Sequence, residues 1–228
     1  MNKEKILGIL MAHPKAAKAG FTVLNRLPFR NRWGKELRCG LSLLRGCRVE
    51  GFGDNNRILI GDLARLTGCV FHFEGNNNTI VIGNRCNCAD TVFWAEGDGN
   101  TITLGEHVTL TGSDHLAALE GTRLEIGPDC LIAKQVSFRT GDSHSLIKKG
   151  TQERLNPAKD IRIGEHVWIG SRVTLLKGSS VADHCTVGAN SLVCNAHPTP
   201  NCVLAGVPAK VLREGTDWVP EVHPRTIM

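Results

Sequence analysis

The chain has 228 residues, enough for one sizeable core with small appendages, and its 41% hydrophobic and 21% charged content is that of an ordinary folded protein. Its 25 glycines and complete lack of tyrosine point to many tight corners around a narrow interior. The net charge of +5 is uneven: residues 1–48 hold 11 Lys/Arg against Glu4 and Glu36, leaving the remainder acidic, and no aromatic-and-basic pattern of a nucleic-acid fold goes with them, so no nucleic-acid partner is expected.

Met1–Lys5 followed by Ile6–Ala12 has the outline of a leader peptide, but the apolar run is at the minimum length and stops at His13-Pro14-Lys15; secretion is not expected. No segment approaches the roughly 20 apolar residues of a membrane span. Residues 1–38 are expected to form a basic, helical cap whose helices Pro14 and Pro28 keep short. A solvated appendage is the plain reading of its charge; contact of residues 1–48 with an anionic membrane is the functional one. The nine cysteines are odd in number and form no C-x-x-C pair, which favours a reducing cytoplasm over a disulfide framework.

From residue 58 the sequence repeats itself. Ile58-x-Ile60-Gly61, Ile80-x-Ile82-Gly83, Ile102-x-Leu104-Gly105 and Leu124-x-Ile126-Gly127 recur at a period of 22, and Ile161-x-Ile163-Gly164 follows after a longer gap. The period then shortens to six: Ile163, Ile169, Leu175, Val181, Val187, Val193. Four residues after the anchors stand Ala64, Cys86, Val108, Cys130, Val167, Val173, Ser179, Cys185 and Ser191, all small or β-branched. An inward aliphatic residue, a small corner residue and a small inward residue make a six-residue unit, and three units close one triangular coil. Stacked coils pair as parallel strands and bury their inward faces on one another. The longer coils carry four-residue corner insertions at Gly53–Asn56, Gly75–Asn78 and Gly97–Asn100, residues that tolerate positive φ. A further inward column is expected at His72, Trp94, Leu116 and Phe138, and Cys86, Cys130 and Cys185 are expected to be plain core residues. The solenoid is assigned to 39–205 and a C-terminal cap to 206–228, which would cover the open strand edges of the last coil.

The period breaks between Phe138 and Ile161, and a loop at 139–160 on so regular a frame is the expected site of function. It contains Asp142-Ser143-His144-Ser145 and Arg154-Leu155-Asn156. Shortly after it comes Trp168, in the outward place of its unit. A large aromatic there calls for a ligand or a neighbouring subunit.

From Asp142 to Arg213, about a third of the chain, the sequence resembles the galactoside, maltose and capsular-polysaccharide O-acetyltransferases among the hexapeptide-repeat transferases. The residues that carry the likeness are His144 alone in its loop, Trp168-Ile169-Gly170-Ser171, and Ala205-Gly206-Val207-Pro208-Ala209-Lys210-Val211-Leu212-Arg213. Asp142-x-His144 with Arg154-Leu155-Asn156 leans towards the branch that modifies capsules and polysialic acid. The resemblance implies an all-β solenoid wound as a left-handed parallel β-helix, a hand that periodicity does not reveal. It implies acetyl-CoA as donor, a saccharide hydroxyl as acceptor, and a homotrimer with active sites between subunits. His144 becomes the general base, with Asp142 or a backbone carbonyl fixing its tautomer and Trp168 or backbone N–H groups facing the oxyanion. Arg154 and Asn156 become acceptor contacts. Gly170, Ser171, Gly188 and Ala189 give the pantetheine arm a path along the last coils, and Lys210 and Arg213 meet the CoA phosphates. The chain departs from the pattern at Cys194-Asn195, where relatives often have Thr-Lys, so one phosphate contact is missing or supplied elsewhere.

Three alternatives stay open. An N-acetyltransferase for a nucleotide-linked amino sugar calls for a nucleotide-binding domain, of which residues 1–50 show no Gly-rich fingerprint. A metal enzyme similar to γ-class carbonic anhydrase needs three histidines round an open metal. His107, His115, His144, His166 and His184 are available, but the expected pair five residues apart is absent and no metal is expected. The last is a β-helix used only as a rigid surface.

Overall fold

The computed structural model describes residues 36–221. The expected basic cap therefore lies outside the described residues except at its end, where Glu36–Cys39 is not helical but the first strand of the solenoid, paired with Arg57–Ile60. Among the described residues 24 strands wind into three parallel sheets of eight, nine and seven, one sheet for each face of a triangular prism. The first sheet contains the anchor strands Arg57–Ile60, Thr79–Ile82, Thr101–Leu104, Arg123–Ile126 and Ile161–Ile163. Outside the terminal hairpin every pairing is parallel and in register, so each residue sits about 4.8 Å above its equivalent one coil earlier.

Stacking in register explains the core. The anchors Ile58, Ile80, Ile102, Leu124 and Ile161 form one buried column, and the nine small residues expected to point inward are all buried as well. Burial pushes the Cys86 thiol up to about 11 and the Cys130 thiol up to about 12, which leaves both unreactive. The expected column holds at Leu116 and Phe138 and is one residue away at its first two members. Phe71, Phe93, Leu116 and Phe138 are the buried residues in register, with the rings of Phe71 and Phe93 stacked 5.2 Å apart. His72 and Trp94 point out and stack on each other 3.7 Å apart. The cause is the corner holding Gly112 and Ser113, both at positive φ, which carries one residue more than its counterparts. Counting back by 22 from Leu116 thus lands on Trp94 instead of Phe93.

The Gly/Asn corners do more than turn the chain. Asn56, Asn78 and Asn100 are fully buried and form a ladder, each carboxamide oxygen accepting the backbone N–H of the next Asn at 3.0 and 2.8 Å. Their amide groups donate to the Gly75 and Gly97 carbonyls, and Asn100 passes the ladder on to the N–H of Gly121 and Thr122. Corner backbone that the sheets cannot pair is satisfied in this way. The chain ends in a hairpin: Ala209–Glu214 folds back antiparallel on Cys202–Gly206 and covers the last open edge of the second sheet.

Two outcomes follow. Asn78→Ala removes both an acceptor and a donor from buried partners and is expected to lower stability by about 3 kcal/mol in urea unfolding; a loss below about 0.5 kcal/mol contradicts the ladder. Asp114, buried with its carboxylate accepting the N–H of Val136 and Gly112, is pushed by burial up to about 6. Because the folded state holds the proton more tightly, the advantage is present below the unfolded value and is lost as pH rises to about 6. Wild-type stability relative to Asp114→Asn is expected to fall by about 2 kcal/mol between pH 4 and 7; a pH-independent difference contradicts it.

Candidate active site

The loop at 140–160 leaves the third sheet after Ser137–Arg139 and lies back against it, with Gly141 and Ala158 packed near Leu119. Within it a short hairpin bridges Ile147 to Arg154. Asn156 is its central brace. Its amide group donates to the Asp142 carboxylate at 2.7 Å and to the His144 carbonyl at 2.8 Å, while its oxygen accepts the Leu146 N–H at 2.6 Å. Lys177, one coil on, donates to the Asp142 carboxylate and to the Asn156 carbonyl at 3.1 Å. Arg154 makes a two-pronged bond to Glu120 at 2.6 and 2.8 Å. Ser143 donates to Glu96 at 3.2 Å and receives Arg139 at 3.3 Å. The Lys177 ammonium and the Asn156 amide hold the Asp142 carboxyl below its usual range, and Arg154 does the same for Glu120.

These contacts redistribute the expected roles. His144 stands exposed, and among the described residues no side chain bonds its ring; its position is fixed through its own carbonyl. Asp142 does not orient the imidazole here, because its carboxylate is engaged by Lys177 and Asn156. Arg154 and Asn156, expected as acceptor contacts, also bond Glu120 and the loop. Asn156 binds the loop to itself, and Arg154 binds it to the preceding coil. Lys177, Glu120 and Glu96 have no marker in the sequence, since each is tens of residues from its partner.

Trp168 is on another face. It projects from the second sheet, 40% exposed, with Leu131 before it and Thr186 after it in register. Val203 and Arg213 continue its column. Trp168 and Arg213 thus stand three strand spacings apart, about 14 Å, on one outward stripe. At the corner beside this stripe, Gly188 faces Ala205, and Lys210 pairs with Ala205. Ser171, Gly188 and Ala189 are accessible there. Gly170 is buried, and a Cβ would lie 2.7 Å from the Ala189 nitrogen, so its lack of a side chain makes room for the next coil. A neighbour that the sequence did not announce is Trp218, whose ring lies 6.2 Å from that of Trp168.

Residues 160–195 match the family model described as bacterial transferase hexapeptide (six repeats). That stretch of the chain carries hexapeptide repeats. It is 31% identical over 110 residues to the polysialic acid O-acetyltransferase of Escherichia coli O1:K1 / APEC, covering 48% of this chain and 36% of that one. It is 38% identical over 106 residues to the galactoside O-acetyltransferase of Escherichia coli (strain K12), covering 45% and 50%. The chain thus spans between about a third and a half of the length of these curated relatives. Among solved structures it is similar to the polysialic acid O-acetyltransferase OatWY, with a TM-score of 0.79 and 28% identity over 85% of this chain and 92% of that one. The parallel β-helix is common to both.

The brace predicts a loop with its own acid sensitivity. With Asp142 held low, its contribution persists above the ordinary carboxylate range and is lost as pH falls through the lowered value. Lys177→Ala is expected to speed proteolytic cleavage within 146–155 roughly ten- to hundredfold at neutral pH without moving the main melting transition. Cleavage at the wild-type rate contradicts the brace.

Proposed function

We propose that this chain is an acetyl-CoA-dependent O-acetyltransferase that acts on a hydroxyl of a saccharide, with His144 as general base and no acyl-enzyme intermediate. The observation that carries the reading is an exposed histidine with no partner for its ring among the described residues, set on a loop that three side-chain pairs, Ser143–Glu96, Arg154–Glu120 and Asp142–Lys177, hold to a rigid β-helix. Rigid placement is what a general base requires, since proton removal depends on its heavy-atom distance to the hydroxyl. The activities of the relatives, on polysialic acid and on galactosides, support the saccharide hydroxyl as acceptor.

Acetyl-CoA supplies an activated thioester. The outward stripe suits such a donor: Arg213 and Lys210 offer fixed positive charge to phosphates, the corner at Ser171, Gly188 and Ala189 gives room near backbone, and Trp168 closes the far end. In this reading His144 takes the hydroxyl proton as the acceptor oxygen attacks, and gives it up to the departing thiolate, so the sum is an ester and a free thiol. Buried, unreactive Cys86 and Cys130 agree with direct transfer.

The reading also calls for more than one copy. His144 belongs to the third face of the prism and Trp168 to the second, with no contact joining them among the described residues. A closed homotrimer that sets the loop of one copy against the second sheet of the next brings them together. The odd number of cysteines, with no C-x-x-C pair, fits a cytoplasmic setting; the basic residues 1–48 are proposed to hold the enzyme near anionic membrane.

Thiol release from acetyl-CoA, measured over sialosides, galactosides and capsular oligosaccharides, tests the reaction and the base together. Acceptor-dependent release is expected to fall about 10²–10⁴-fold in His144→Ala. Release that survives the substitution removes His144 as the base.

A further inference from the structure

His166 and His184 occupy equivalent corner positions in consecutive coils, eighteen residues apart, both with positive φ. The corner backbone stacks them: the His166 N–H donates to the Pro128 carbonyl and the His184 N–H to the Glu165 carbonyl, each at 2.9 Å. Their ring centroids lie 5.2 Å apart. The terminal hairpin then delivers a carboxylate to them. After Ala209–Glu214, the Thr216 N–H donates to the Asn201 carbonyl at 2.8 Å, and Asp217 arrives over the histidine column.

The separations are those of ligands and not of hydrogen bonds. The Asp217 Oδ1 lies 3.6 Å from the His166 Nε2 and 3.6 Å from the His184 Nδ1. A hydrogen bond would bring these atoms to about 2.9 Å, whereas ligands held at about 2.0–2.1 Å round a tetrahedral ion stand about 3.3 Å apart. One ligand atom from each of the three residues lies within 4.8 Å of the others. The His184 Nδ1 is buried with no hydrogen-bond partner, a costly state for a ring nitrogen unless something else takes its lone pair. The Glu165 carboxylate lies 3.7 Å from the other nitrogen of that ring and adds negative charge beside the pair. The His166 Nε2 meets the Trp218 carbonyl at 3.0 Å, and coordination would exchange that contact for a metal bond.

We propose that His166, His184 and Asp217 form a site for a divalent transition ion of the zinc type, which clasps residues 217–218 to the side of the β-helix. Two imidazoles and one carboxylate suit such an ion better than magnesium or calcium. The sequence shows no close histidine pair because the pair is made by one turn of the coil. The ion fixes Trp218 as well, since that ring stacks on His166 at 4.6 Å and its indole N–H donates to the His166 carbonyl at 2.8 Å. Trp218 in turn neighbours Trp168.

The test is zinc titration of the full chain by calorimetry, with cobalt(II) absorption reporting the ligand type. Expected are one zinc ion per chain, a cobalt spectrum of nitrogen and oxygen ligands without a thiolate band, and a melting temperature raised by zinc. His184→Ala and Asp217→Asn are each expected to weaken binding at least about tenfold and to abolish the thermal shift, while melting as the wild type does without metal. No zinc binding at about 100 µM, affinity unchanged in both variants, or a thiolate band from the cysteines would each overturn the site.

Discussion

The structure depends on one constraint: each coil lies on the one before it with equivalent residues in register. From that spacing come the aliphatic columns, the buried asparagine ladder and the corners where a side chain has no room. At Gly170, for example, the next coil comes within van der Waals contact of the place a Cβ would take. A local sequence choice is therefore judged against the coils above and below it, and a single substitution such as Asn78→Ala acts on both neighbours.

The same constraint governs function. A β-helix is rigid along its axis, which makes it a good support for a loop that must hold a base still. It is also three-sided. Groups on different faces of one prism point away from each other, so the proposed site brings His144 to Trp168 by applying a second copy. In the proposed enzyme, assembly is thus part of the chemistry: one copy brings the base and the other the aromatic wall and the basic stripe. The regular part of each chain supplies position, and the irregular loop supplies the reactive group.

Much of this was legible in the sequence because repetition multiplies weak signals. One Ile-x-Ile-Gly means little, but five in step, followed by small residues four places on, define the coil and its inward face. The aromatic column shows where the method stops. One additional residue in the corner near Gly112 shifts the frame, and uniform counting exchanges Phe93 for Trp94. The loop shows a deeper limit. His144 was marked by its isolation, yet the residues that hold it, Glu120 and Lys177, are joined to Arg154 and Asp142 only through coil stacking. The histidine pair at 166 and 184 was hidden for the same reason.

The central claim is that His144 and Trp168 act together across two copies. It is tested most directly by co-expressing His144→Ala and Trp168→Ala chains with different tags and assaying the purified mixed oligomers. Every mixed trimer, whichever chain it holds twice, pairs an intact histidine with an intact tryptophan at about one site in three. The account predicts acetyl transfer near that fraction of wild type from two inactive parents. A mixture no more active than the sum of its parents would contradict it.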